Sequence, residues 1–183
     1  MIFHKTSLED AYIVELDQHK DNRGSYSRAF CSDEFTKHGL NPSISQANIV
    51  FTAKAGTLRG MHYQVTPYEE AKFIRCFSGS IYDVIIDLRP SSSTFNMWEG
   101  FELNQTNFKA LFVPAGFAHG FQTLSDNTVV YYHASSSYHP CSERGLRWND
   151  PAFNIKWPVS EPILSEKDKN HKDYKKTNHA NKR

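Results

Sequence analysis

The chain has 183 residues, 39% hydrophobic and 22% charged, which suits one soluble globular domain and is too short for two. A formal net charge of +1 supplies no field that would gather nucleic acid or an anionic membrane surface. Three cysteines, Cys31, Cys76 and Cys141, are odd in number and form no CxxC pair, so reduced thiols in a cytoplasmic protein are expected.

The N-terminal stretch MIFHKTSLEDAY has no apolar segment behind a basic start, so no signal peptide is read there. No apolar run approaches the ~18 residues of a membrane span. The first predicted element is a short helix, with Ser32 as N-cap, residues 33–38 as the body and Gly39 as the stop. Residues 73–77 and 81–88 alternate as two strands, and Ser78, Gly79 and Ser80 between them predict a hairpin. Two more strands are predicted over 107–113 and 128–134, each bounded by Pro, Gly, Asn or Ser. Thirteen Phe, nine Tyr and three Trp add β preference. Many short strands with close turn signals predict an all-β sandwich or small barrel, and a jelly roll with one or two short helices fits best. The domain is expected to span 1–169. From Asn170 onward NHKDYKKTNHANKR carries almost nothing apolar, so 170–183 is expected to be a frayed basic tail.

Two blocks carry candidate chemistry: GTLRGMHYQ at 56–64, followed by Lys72, and PAGFAHGF at 114–121. They resemble the two motifs of a cupin barrel. A metal-binding cupin needs a His-x-His pair and a Glu in the first block and a His in the second. Here Gln64 replaces the second histidine, leaving His62 and His119 short of ligands, so no metal is expected. If His62 enters the barrel, so does Gln64, and Tyr132 shares its strand face with Val130 and Ala134.

LRGMHYQ at 58–64, DVIIDLR at 83–89, PAGFAHGF at 114–121, RWNDP at 147–151 and LSEKD at 164–168 together resemble the dTDP-4-dehydrorhamnose 3,5-epimerase family over nearly the whole chain. The resemblance implies a cupin-like double-stranded β-helix. It also implies cofactor-free epimerisation at C3, C5 or both of a nucleoside-diphosphate-4-keto-6-deoxyhexose. That chemistry takes a proton from carbon beside the ketone and returns one to the opposite face. Carried over residue by residue, His62 is the base, Asp168 its carboxylate partner, Tyr132 the opposite-face acid and Lys72 the cation near the keto oxygen. Arg23, Arg28, Gln46, Asn48, Arg59, His119, Glu143 and Lys167, with Lys72, match substrate contacts. In the family the segment DNRGSYSR at 21–28 crosses to a neighbouring subunit, so a homodimer with shared sites is implied.

Two positions depart from the family pattern. Glu70 stands where Gln is common, and Arg28 replaces an acidic residue. Arg28 only donates, whereas thymine N3–H needs an acceptor. It either turns base preference towards cytidine or guanosine, or it swings to the diphosphate or a thymine carbonyl. Rival readings are a single-centre epimerase on a CDP- or GDP-linked sugar, a metal-dependent cupin oxygenase and a non-catalytic sugar-nucleotide binding module. A lone β-sheet histidine is more often structural than catalytic, and only the company of Lys72, Tyr132 and Asp168 lifts His62 above that. His133, His139, His171 and His179 read as surface or tail residues, and the three cysteines as small buried hydrophobes.

Overall fold

A computed structural model describes residues 1–175. The chain runs β1 (Ile2–Lys5), β2 (Tyr12–Glu15), β3 (Gln18–Asp21), β4 (Gly24–Ser27), α1 (Ser32–Lys37), β5 (Gln46–Thr52), β6 (Leu58–Gln64) and β7 (Lys72–Ser78). It continues through β8 (Ser80–Asp87), β9 (Trp98–Asn104), β10 (Lys109–Val113), β11 (Phe117–Thr123), β12 (Thr128–Ala134), β13 (Glu143–Gly145) and α2 (Glu166–Lys169). Six strands form one sheet in the order β1-β2-β10-β7-β12-β5, and five form a second in the order β13-β6-β11-β8-β9. All named strand pairs are antiparallel. This is the expected jelly roll. Among the described residues no helix is long and apolar enough to cross a membrane.

Strand alternation sorts side chains into layers. Between the sheets lie Ile74, Cys76, Ile81, Ile85, Leu111, Phe121 and Val130. Behind the five-stranded sheet, Met61, Tyr63, Val84, Ile86 and Ala118 pack under Leu146, Phe153 and Ile155. Behind the six-stranded sheet, Val14, Phe73, Ala110 and Phe112 pack under Phe35 of α1. Both faces of the central strands are therefore covered. Each buried aliphatic contributes roughly 1.5–3 kcal/mol, enough to hold the walls against the polar groups they carry.

Several expectations need correction. The strand over 128–134 is as predicted, but the strand predicted over 107–113 starts at Lys109, because Phe108 sits at φ +54°. The turn at 78–80 makes no hairpin: β7 belongs to the six-stranded sheet and β8 to the five-stranded one. Each strand finds better burial between other neighbours than beside its sequence neighbour. At α1 the N-cap is Cys31, with no side-chain cap bond, and Ser32 is the first helical residue. The chain does not leave the fold at Asn170. Tyr174 packs with the cluster behind the five-stranded sheet, and Arg147 holds Asp173 at 2.7 Å. The rest of the predicted tail, 176–183, lies outside the described residues. Cys76 is buried as expected, but Cys141 is exposed.

One close approach positions the site. A Cβ on Gly120 would stand 2.8 Å from both Arg59 O and Met61 Sδ and 3.2 Å from Gly60 Cα, so β6 and β11 touch backbone to backbone. The pairing register shifts here, between His119 and Phe121, and His119 lies opposite His62. Gly120→Ala is expected to push the strands apart and cost about 1–3 kcal/mol of stability. Urea unfolding should show a lower midpoint with an unchanged slope. An unchanged midpoint would show that the strands part without strain.

Candidate active site

Between the sheets opens a cavity of about 490 Å³. His62 enters from β6 and His119 from β11, on the five-stranded wall. Lys72 enters from β7 and Tyr132 from β12, on the facing wall. Arg59, Lys167 and Asp168 add charge to its lining, and Thr57 and Ser165 add hydroxyls.

The segment after residue 160 reaches the cavity because Ile163 makes a parallel bridge to Thr57, with Leu58 N–H donating to Ile163 O and Ile163 N–H to Gly56 O. Ser165 then caps α2 by accepting from Asp168 N–H at 3.1 Å. This three-residue spacing fixes Asp168 beside His62, whose Nε2 lies 2.6 Å from Asp168 Oδ1. A carboxylate only accepts, so in the neutral ring Nε2 carries the proton and the lone pair is on Nδ1. Burial would push the Asp168 carboxyl up, but the His62 bond and charge, Ser165 and Gly60 N–H bring it below its ordinary value.

Other charged groups of the site are paired too. His119 Nε2 stands 2.9 Å from Asp83 Oδ1, and Asp83 is fully buried. Lys72 Nζ is 3.0 Å from Glu70 Oε1, with both side chains largely buried. Glu70, at the position where Gln is common, thus faces the cation of the cavity. Burial, and then the Glu70 charge, push the Tyr132 hydroxyl up, so it keeps its proton at neutral pH. Lys167 Nζ bonds Glu143 Oε1 at 2.5 Å, and Tyr138 donates to Glu143 Oε2 at 2.7 Å.

The structure thus brings together His62, Tyr132, Asp168, Lys72, Arg59, His119 and Lys167, with Glu143 held through Lys167. Arg23, Arg28, Gln46 and Asn48 do not line this cavity. Gln46 accepts from Tyr138 N–H, and Asn48 sits opposite Tyr132 in the β5–β12 register. Arg23 is paired with Asp21, and Arg28 Nη1 with Glu34 Oε1 at 2.8 Å. Tyr132 faces inward with Val130 and Ala134, as parity predicts. Gln64 does not share the cavity with His62. It is 4% exposed, its Nε2 donates to Tyr68 O and Ser137 O, and its Oε1 accepts from His139 N–H.

Two residues escaped the sequence reading. Asp83 lies inside a matched motif, and only its position one strand from His119 reveals its partner. His171 stands in the polar stretch, yet its side chain is only 14% exposed and its ring is 5.7 Å from that of His62. His133 is also packed, against Phe30 and Phe73, and His139 stacks on Tyr68. Ligand atoms of His62, Asp168 and His171 lie within 4.8 Å of one another, a donor set the sequence reading did not see. The pair at 2.6 Å is closer than the ~3.3 Å that two ligands on one tetrahedral zinc would keep. As they stand, these atoms share a proton better than an ion.

Fold and cavity together define a cupin-type enzyme whose cavity carries acid–base groups. The chain belongs to the dTDP-4-dehydrorhamnose 3,5-epimerase family, whose sequence model matches residues 5–176. The protein of that name from Shigella flexneri is 41% identical over 91% of this chain and 92% of its own. A crystal structure of the Bacillus anthracis enzyme, with TDP and PPi bound, is 39% identical with a TM-score of 0.91, covering 94% of this chain and 99% of that one. The Elizabethkingia anophelis enzyme is 38% identical with a TM-score of 0.94, covering 97% and 98%.

Asp168 binds its proton more weakly when folded than when unfolded. Its stabilisation is therefore full above the ordinary carboxyl value of 3.8 and is lost as pH falls through the lower folded value. Asp168→Asn is expected to cost about 1.5–3 kcal/mol at neutral pH. The deficit relative to wild type should shrink below about pH 4. Urea titrations across this range test it, and a deficit that stays constant into strong acid would separate the effect from the carboxylate charge.

Proposed function

We propose that this protein inverts C3 and C5 of a dTDP-linked 4-keto-6-deoxyhexose. The observation that carries the reading is a base and an acid facing each other from opposite walls of one cavity, His62 on β6 and Tyr132 on β12. A flat sugar ring held between them offers one face to each. His62 takes the carbon-bound proton on Nδ1, and the C–H electron pair moves into an enolate. Asp168 stabilises the imidazolium as it forms, and Lys72 faces the charge growing on the keto oxygen. Tyr132 then donates its proton to the other face of the same carbon, and both centres are served by one pair of groups. The ketone itself acidifies the neighbouring C–H, so no cofactor is called for.

Thymidine is the nucleoside this reading takes. The Bacillus anthracis relative holds TDP, and Arg28 in this chain is exposed, pairs with Glu34 and does not line the cavity. The cytidine or guanosine preference raised by Arg28 is accordingly not favoured.

Proton NMR in deuterated water with dTDP-4-keto-6-deoxyglucose tests the assignment. His62→Ala should lose deuterium incorporation at both C3 and C5 by ~10²–10⁴-fold while dTDP still binds. Tyr132→Phe should keep exchange from the His62 face and lose inversion. Near wild-type exchange in His62→Ala, or equal loss of exchange and inversion in Tyr132→Phe, would refute the respective role.

The site is proposed to be completed in a homodimer. β5 is an edge strand whose outward residues Ile49 and Phe51 are 71% and 59% exposed. They continue into Tyr131 and Phe77, stacked at 5.2 Å, as one apolar face. The β3–β4 hairpin forms a separate two-stranded sheet, and such a sheet is marginal alone. Its placement against a second copy would bring Arg23 and Arg28 to the partner's cavity as phosphate contacts. Phe51→Glu is expected to shift sedimentation from dimer to monomer and to lower activity at least about tenfold. A monomeric wild type, or a fully active monomeric variant, would exclude shared sites.

A further inference from the structure

Among the described residues, His171 is a largely buried titratable group against the site to which the proposed reaction gives no task. Its imidazole lies over Gly145, the residue opposite His62 in the β13–β6 register, where any Cβ would stand 2.1 Å from its Cε1. Its ring meets that of His62 edge to face, at 77°. Its Nε2 is 3.5 Å from Asp168 Oδ1, the oxygen that already accepts from His62. At that distance Nε2 makes no hydrogen bond, and it is buried with no other partner among the described residues. One carboxylate oxygen thus faces two imidazoles, and Asp168 is only 4% exposed.

We propose that His171 is a positioning residue that shares Asp168 with His62, so that the carboxylate orients the base without locking it into a permanent ion pair. The inference rests on His62 being the base. A buried carboxylate facing one imidazole favours the protonated ring, whereas a base must enter the reaction with its lone pair free. An Nε2–H edge turned towards Oδ1 offsets part of the carboxylate charge and keeps water from it. His171 must itself stay neutral to do this. Burial first, and then the charges of His62 and Lys167, push its proton affinity down against the opposing pull of Asp168. The groups facing this cluster are His62 on β6, Asp168 and Lys167 on α2, and Glu143 on β13, which is paired with Lys167.

The test is the pH profile of kcat/KM for C3 and C5 exchange in wild type, His171→Phe and His171→Gln. Phenylalanine fills the space without an N–H, so the acid limb should move up by about half a pH unit, roughly threefold in rate on that limb. The alkaline plateau should change less. Glutamine restores a donor and should return the limb towards wild type. An unmoved limb in His171→Phe, or equal losses at every pH in both variants, would reduce His171 to packing and overturn the proposal. Imidazole ¹⁵N NMR of the wild type is independent of how the variants fold. His171 should remain neutral on acidification past the ordinary histidine value of 6.5, and titration at or above that value would overturn the role. So would one equivalent of tightly held metal that disappears in His171→Phe. His62→Ala, assayed in parallel, separates the two failures. Exchange surviving there sinks the base assignment, whereas an inactive His62→Ala with an unmoved His171→Phe profile sinks only this inference.

Discussion

The hydrogen bond between His62 and Asp168 joins residues 106 apart in the chain, and the rest of the site depends on it. A carboxylate this deeply buried costs several kcal/mol unless it is paired. His62, the Ser165 cap and Gly60 N–H supply that pairing. The C-terminal segment must therefore dock along β6 for the charge to be tolerated, and the same docking aims the imidazole. Stability of the segment around α2 and readiness of the proposed base are two readings of one contact.

Around this pair, polar groups are immobilised in couples on walls whose reverse sides are packed. Asp83 holds His119, Glu70 holds Lys72 and Glu143 holds Lys167. Each partner restricts a side chain that would otherwise sample many rotamers, so the cavity meets its substrate already arranged. The couples on the β3–β4 arm and α1 are of another kind. Arg23 with Asp21 and Arg28 with Glu34 are exposed, screened by solvent and worth little. Such guanidinium groups exchange a carboxylate for a phosphate at small cost, which suits the contacts proposed for them across a dimer.

How much was legible beforehand follows the range of each interaction. Period-two alternation is local, so the strand over 128–134 and the face that Tyr132 shares with Val130 and Ala134 could be read directly from residue order. The candidate residues His62, His119 and Asp168 were legible because they sit in short strings of distinctive composition, and Lys72 only through the resemblance those strings carry. Which sheet a strand joins is not local. The turn at 78–80 looks like a hairpin, yet β7 and β8 part because both faces of each are buried against other neighbours. Nor does composition reveal where a polar residue finds its partner. Asp83 meets His119 across a strand pair, and Gln64, on the same strand as His62, is consumed by backbone groups of two loops. The stretch after Asn170 has too few apolar residues to fold on its own account. Its first residues pack all the same, because the fold offers a bare Gly145 for His171, Arg147 for Asp173 and an apolar cluster for Tyr174. Sequence alone determined the strand pattern and the kinds of groups available for proton transfer. Tertiary structure decided which of them meet, because burial and pairing of charge depend on neighbours that lie far away along the chain.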